Sequence, residues 1–152
     1  MTQQATVGRD TPRSAFPCFV TLATRWMDND IYGHVNNVHY YSYFDTAVNG
    51  FLVEKGVLDI HHGEIVAFVV ETGCTYFGPV AFPDTVSIGF RVIKIGNSSV
   101  RYQLALYRNE DPLPAAAGHF THVYVERASG RPCLVPDAVR EVLAGAVAPE
   151  AL

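Results

Sequence analysis

The sequence predicts an α+β domain, an antiparallel sheet of about five strands packed against one dominant helix. Three observations carry this. Between the Asn36-Asn37 pair and Lys55, apolar residues recur every three or four positions, which is helical spacing. One segment with strand-like alternation precedes that run. Four segments rich in Val, Ile, Phe, Tyr and Thr follow it, divided by short turns of Gly, Pro, Asn and Asp.

Taken in order, residues 1–15 are polar, carry Pro12 and show no period, so a loose tail is expected. Phe16 to Trp26 alternates as a strand, with Val20, Leu22 and Trp26 on one face. The long helix follows, collecting Tyr40, Tyr41, Phe44, Ala47, Val48, Phe51 and Leu52 on one broad face. Asn36 or Asn37 can cap its start, and Gly56 can take the left-handed conformation that stops it. Residues 57–63 form a connection. Strands are expected at Ile65–Phe77, Thr85–Ile95, Ser98–Tyr107 and Ala115–Glu126, with Gly96-Asn97 as a hairpin turn. Pro136 opens a short helix over Asp137–Leu143. The whole is one domain, 16–145, with 146–152 as a C-terminal tail.

Composition narrows the function classes. Hydrophobic residues make up 49% and charged residues 17%, enough for an ordinary core. The net charge of −4 supplies no basic stripe for nucleic acid. No apolar run approaches the ~20 residues of a membrane span, and the first residues lack a signal pattern, so a cytoplasmic protein is expected. Cys18, Cys74 and Cys133 are odd in number and unpaired by spacing, which argues against a disulfide frame or zinc knuckle.

The chemistry concentrates ahead of the long helix. Asp28 and Asp30 stand just before Gly33, His34 and the Asn36-Asn37 pair, so carboxylates lie beside the unpaired N–H groups of a helix start. Such an arrangement suits attack on a carbonyl carbon. Asp30 is equally at home as a turn or cap residue, and Asp28 is expected to bond loop amides. Asp45, at the border of the helix's polar face, is expected to make a structural salt bridge or hydrogen bond. His119 and His122 lie three apart on a strand, point to opposite faces and cannot share one ion, so metal binding is not expected.

With Asp28-Asn29-Asp30, Gly33-His34-Val35-Asn36-Asn37 and Tyr43-Phe44-Asp45-Thr46-Ala47, the sequence resembles the hotdog-fold acyl-CoA thioesterases of the 4-hydroxybenzoyl-CoA thioesterase-like group. Val70-Glu71, Tyr76, Pro79, Asp84 and the Gly96-Asn97-Ser98-Ser99 turn extend the likeness over roughly residues 17–127. The resemblance implies a hotdog fold, the sheet wrapped around the helix, and hydrolysis of an acyl-CoA thioester. It implies Asp30 as the catalytic carboxylate, as general base or nucleophile, and the Asn37 N–H as the donor to the thioester oxygen.

Tyr32, Gly33, His34 and Val35 are expected to line the substrate's approach. Glu71, on an apolar strand, is the second choice for the acid and is expected to meet substrate. No cofactor is implied beyond coenzyme A within the substrate. A homodimer, pairing again into a homotetramer, is implied, with the site shared between subunits; open sheet edges independently favour pairing. Only Arg91, Lys94 and Arg101 lie near the hairpin to meet CoA phosphates. A non-catalytic acyl-binding or regulatory protein and a dehydratase on the same scaffold are the competing readings.

Overall fold

A computed structural model describes residues 6–148. It contains β1 (Cys18–Ala23), α1 (Asn37–Glu54), β2 (Ile65–Tyr76), β3 (Thr85–Ile95), β4 (Ser99–Arg108), β5 (Ala116–Glu126) and α2 (Asp137–Ala144). All five strands form one antiparallel sheet in the order β1-β3-β4-β5-β2. β2 does not pair with its sequence neighbour β3 but lies beside β5 at the far edge. Residues 77–84, with Gly78-Pro79 and a cis Phe82–Pro83 bond, make the crossing in place of a tight hairpin turn.

The expected hotdog arrangement is present: α1 lies along one face of the sheet. Its Tyr40, Phe44, Val48 and Leu52 join Ile88, Phe90, Tyr102, Leu104 and Phe120 in the main core. Aromatic residues on α1 demand space on the strands opposite. A Cβ on Gly118 would lie 2.4 Å from Phe44 Cε2, so the ring seats itself where β5 has no side chain. Tyr41, expected on the apolar face, is only half-buried, while Tyr43 is buried because its hydroxyl has a partner. Lys55 caps α1, and Gly56 leaves it at φ 75° as its sequence position suggests.

Three expectations fail. Trp26 does not continue β1; Arg25 and Asp28 bond each other reciprocally and curl Trp26–Asp28 into a 3-10 turn, leaving the indole exposed. Residues 6–15 are packed rather than loose. Val7 and Phe16 cover Ala105, Tyr107 and Ala117 on the outer face of the sheet, and Arg13 bonds the carbonyls of Asn109 and Asp111. The C-terminal segment is anchored as far as Ala148, since Val92 exchanges backbone bonds with Ala146 and Ala148. Polar or Ala-rich composition does not reveal docking through main-chain groups, which is why both segments look loose in the sequence. The remainder of each, 1–5 and 149–152, lies outside the described residues.

Candidate active site

The loop before α1 is built on Asp28. This carboxylate is fully buried and accepts from the Arg25 N–H, the Arg25 guanidinium and, at 2.6 Å, the Tyr43 hydroxyl on α1. Burial alone would push its pKa up. The Tyr43 and Arg25 hydrogen bonds outweigh burial and hold it below the ordinary carboxylate range. Asp28 is thus a strut tying loop to helix, as the local reading of this residue expects. Its carbonyl also accepts the Asn36 N–H.

Above that strut the chain doubles back. Asp30 N–H bonds the His34 carbonyl, Gly33 N–H bonds the Asp30 carbonyl, and Gly33 makes the turn at φ 85°. Tyr32 N–H donates to Asp30 Oδ1 at 2.9 Å and Asn36 Nδ2 donates to Asp30 Oδ2 at 3.2 Å, so one bond fixes each carboxylate oxygen. Asn36 also caps α1, its Oδ1 accepting from Val38 N–H. The next amide, that of Asn37, has no hydrogen-bond acceptor among the described residues and stands at the positive end of α1.

Asp30 opens onto a cleft of about 700 Å³ lined by Trp26, Asn29, Asp30, Ile31, Tyr32 and Gly33, with Asn36 at its base. Trp26, Ile31 and Tyr32 are more than 80% exposed, an apolar rim around a carboxylate. Trp26 stacks edge-on against Phe82, whose N–H bonds Asn29 Oδ1. Beside the helix start, the Tyr76 hydroxyl donates to the Asn37 carbonyl at 3.1 Å and its ring meets Tyr40. Burial pushes the Tyr76 phenol well up and Tyr40 to about 12, so both remain protonated donors at neutral pH. The sequence reading missed Trp26, Ile31 and Asn36 in this role; the signal was exposed apolar residues in a loop too short to bury them.

Not every predicted residue gathers here. Asp30, Tyr32 and Gly33 line the cleft, while Asn37 is next in the chain to the lining residue Asn36 and is not itself part of the lining. Val35 does not: its side chain is 5% exposed in the core and its N–H bonds the Val80 carbonyl, so it anchors the loop. His34 contributes its carbonyl, while its ring is exposed and bonded to nothing described. Glu71 faces away from α1 on the outer side of the sheet, where it pairs with His119 at 3.1 Å, because a bulge at Val69–Glu71 sets its register. Asp45 is exposed and, among the described residues, makes neither the salt bridge nor the side-chain hydrogen bond expected of it. Arg91 is 1% exposed and bonds Gln103 and the Ala15 carbonyl, so it holds the N-terminal segment rather than meeting a CoA phosphate. His119 and His122 do face opposite sides, and no group of three metal-ligating side chains occurs among the described residues.

A family model described as the thioesterase-like superfamily matches residues 24–143. Among solved structures, the PA5185 protein from Pseudomonas aeruginosa strain PAO1 is 51% identical with a TM-score of 0.89, covering 91% of this chain and 96% of that one. A thioesterase from Thermus thermophilus, complexed with coenzyme A and Zn, is 31% identical with a TM-score of 0.71, covering 85% of this chain and 93% of that one. Slr0204, a 1,4-dihydroxy-2-naphthoyl-CoA thioesterase from Synechocystis, shares the fold at a TM-score of 0.76 with 13% identity, over 83% and 94% of the two chains.

Proposed function

Because the chain belongs to the thioesterase-like superfamily, we propose that it hydrolyses acyl-CoA thioesters to a free acid and coenzyme A, using Asp30 and the Asn37 N–H. One observation carries this reading: a carboxylate held by Tyr32 and Asn36 opens on a cleft close in sequence to a helix-start amide with no protein acceptor among the described residues. Fixed donors aimed at a developing oxyanion commonly contribute a few kcal/mol each, about 2.7–4 where one has been removed.

The steps need only these groups. A water oxygen attacks the thioester carbon while Asp30 takes its proton. Charge collects on the carbonyl oxygen, facing the Asn37 N–H at the positive end of α1. The C–S bond then breaks, and Asp30 returns the proton to the departing sulfur. Direct attack by Asp30, giving a mixed anhydride, would use the same two groups. Tyr32 and Gly33 border the substrate.

The chain acts as a homodimer paired along β2, with further pairing into a homotetramer, in the cytoplasm. No described helix is long and apolar enough to cross a membrane. The β2 edge supports pairing: it runs twelve residues without proline and exposes Phe68, Val69 and Val70.

Asp30→Asn keeps the shape and the acceptor for the Tyr32 N–H, and removes the base together with the acceptor for Asn36 Nδ2. With a panel of short, medium, long and aryl acyl-CoA substrates, free-thiol release should fall about 10²–10⁴-fold with no change in melting. A normal rate in that variant would remove Asp30 from the chemistry. Tight acyl-CoA binding by the native protein without release from any substrate would instead give a non-catalytic acyl-binding or regulatory scaffold.

A further inference from the structure

Asn29 stands between the buried strut Asp28 and the acid Asp30, on extended backbone at φ −74° and ψ 142°. It lines the cleft onto which Asp30 opens, and a backbone bridge to Val35 holds it there. Its Oδ1 accepts the Phe82 N–H at 3.1 Å. An N–H can only donate, so the oxygen is the end of the amide turned to residues 77–84. The other end, Nδ2, carries two donors and has no acceptor among the described residues. A held NH2 group is therefore left at the wall of the cleft, next in the chain to the acid.

The thiol that leaves in the proposed reaction carries an acceptor at a matching distance. In the pantetheine arm of coenzyme A, two methylenes and a nitrogen separate the sulfur from an amide carbonyl, a span of about 5–6 Å when extended at standard bond lengths. Asn29 and Asp30 are neighbours with Cα atoms about 3.8 Å apart, and both line one cleft. A thioester carbon within reach of Asp30 can therefore bring the first carbonyl oxygen of its arm to hydrogen-bonding distance of Nδ2. The methylenes between them would lie along the apolar rim of Trp26, Ile31 and Tyr32.

We propose that the Asn29 side-chain NH2 donates to the amide carbonyl nearest the sulfur on the pantetheine arm of the substrate, and so favours coenzyme A thioesters over simple alkyl thioesters. The proposal rests on reading the chain as a thioesterase that works at Asp30. Asn29 has two duties, and one substitution separates them. Asn29→Asp keeps an oxygen for the Phe82 N–H and replaces the donor by a second acceptor, which repels a carbonyl. Asn29→Ala removes both. A residue that only holds Phe82 would be served as well by Asp as by Asn.

The test pairs each protein with two butyryl thioesters, one of N-acetylcysteamine, which carries that amide, and one of pentanethiol, which matches its length without it. The ratio of their kcat/KM values is the readout, so a change in the reactivity of Asp30 itself, such as a new charge at position 29 would bring, cancels. Relative to the native protein, the ratio should fall about two- to tenfold in both Asn29→Asp and Asn29→Ala, the worth of one hydrogen bond between uncharged groups. The melting midpoint should stay near the native value in Asn29→Asp and drop in Asn29→Ala. A native ratio in both variants would overturn the proposal. If the native protein releases thiol from neither ester, the thioesterase reading falls, and the contact is then decided by calorimetry with S-butylpantetheine, a neutral thioether that cannot be hydrolysed. Its dissociation constant should rise by the same factor in both variants, and an unchanged constant would overturn the contact.

Discussion

His122 stands on the inner face of β5 at 1% exposure, its ring against Phe120 and Tyr102. The Tyr102 hydroxyl is buried as well, and among the described residues neither it nor His122 Nδ1 has a hydrogen-bond partner. Burial lowers the His122 pKa from 6.5 to about 4, so the fold holds the ring neutral. The unfolded chain takes up that proton first. Stability from this residue is therefore full above about pH 6.5 and lost as pH falls toward 4. Between pH 7 and pH 5 the loss amounts to about 2 kcal/mol. Asp28, with its pKa held down, adds a second acid loss at lower pH, as protonation breaks its hold on Arg25 and Tyr43. His122→Leu, close in volume and apolar, should flatten the first limb: urea midpoints at pH 7 and pH 5 should differ for the native protein and nearly coincide for the variant. Equal pH slopes in the two proteins would place the acid sensitivity elsewhere.

At the scale of elements, α1 and the loop that feeds it depend on one residue with two duties. Asn36 Oδ1 caps α1 through Val38 N–H while its Nδ2 donates to Asp30. Asn36→Asp keeps the cap acceptor, loses the donor and places a second carboxylate beside the first. Its thermal midpoint should stay near the native value, whereas kcat should drop about tenfold or more, the worth of one hydrogen bond to a charged group. Asn36→Ala should lose about 1 kcal/mol of stability in addition. A native kcat in Asn36→Asp would show that the amide does not position Asp30. Helix and strands were legible in the sequence because each carries its own period, as Tyr40, Phe44, Val48 and Leu52 do on α1, and bounds β3 at Thr85 and Ile95. The loop that carries Asp30 and the start of α1 at Asn37 were legible because both are local in sequence. Glu71 was misplaced and Asn36's second bond was missed because a β-bulge and an amide's rotamer leave no trace in spacing.

At the scale of the molecule, the sheet has two unequal edges. β1 is six residues long, follows Pro17, which has no N–H to give, and is shorter than any other strand. β2 is twelve residues long and presents Phe68 at 56% and Val70 at 60% exposure. A monomer with such an edge would offer a template for uncontrolled pairing, and lysines are the usual means of blocking it. Neither position has one here. Phe68→Lys with Val70→Lys should leave the fold intact, since both side chains are more than half exposed, and surface changes of this kind usually shift stability by within about 0.5 kcal/mol. In light scattering at micromolar concentration the native protein should show dimer or tetramer mass and the double variant about half of it. Thiol release by the variant should then fall on dilution and recover at high protein concentration, the behaviour expected of a site completed by a second chain. Full native mass together with native activity in the double variant would show that β2 is not where the subunits meet, and the shared site would have to be sought at another face.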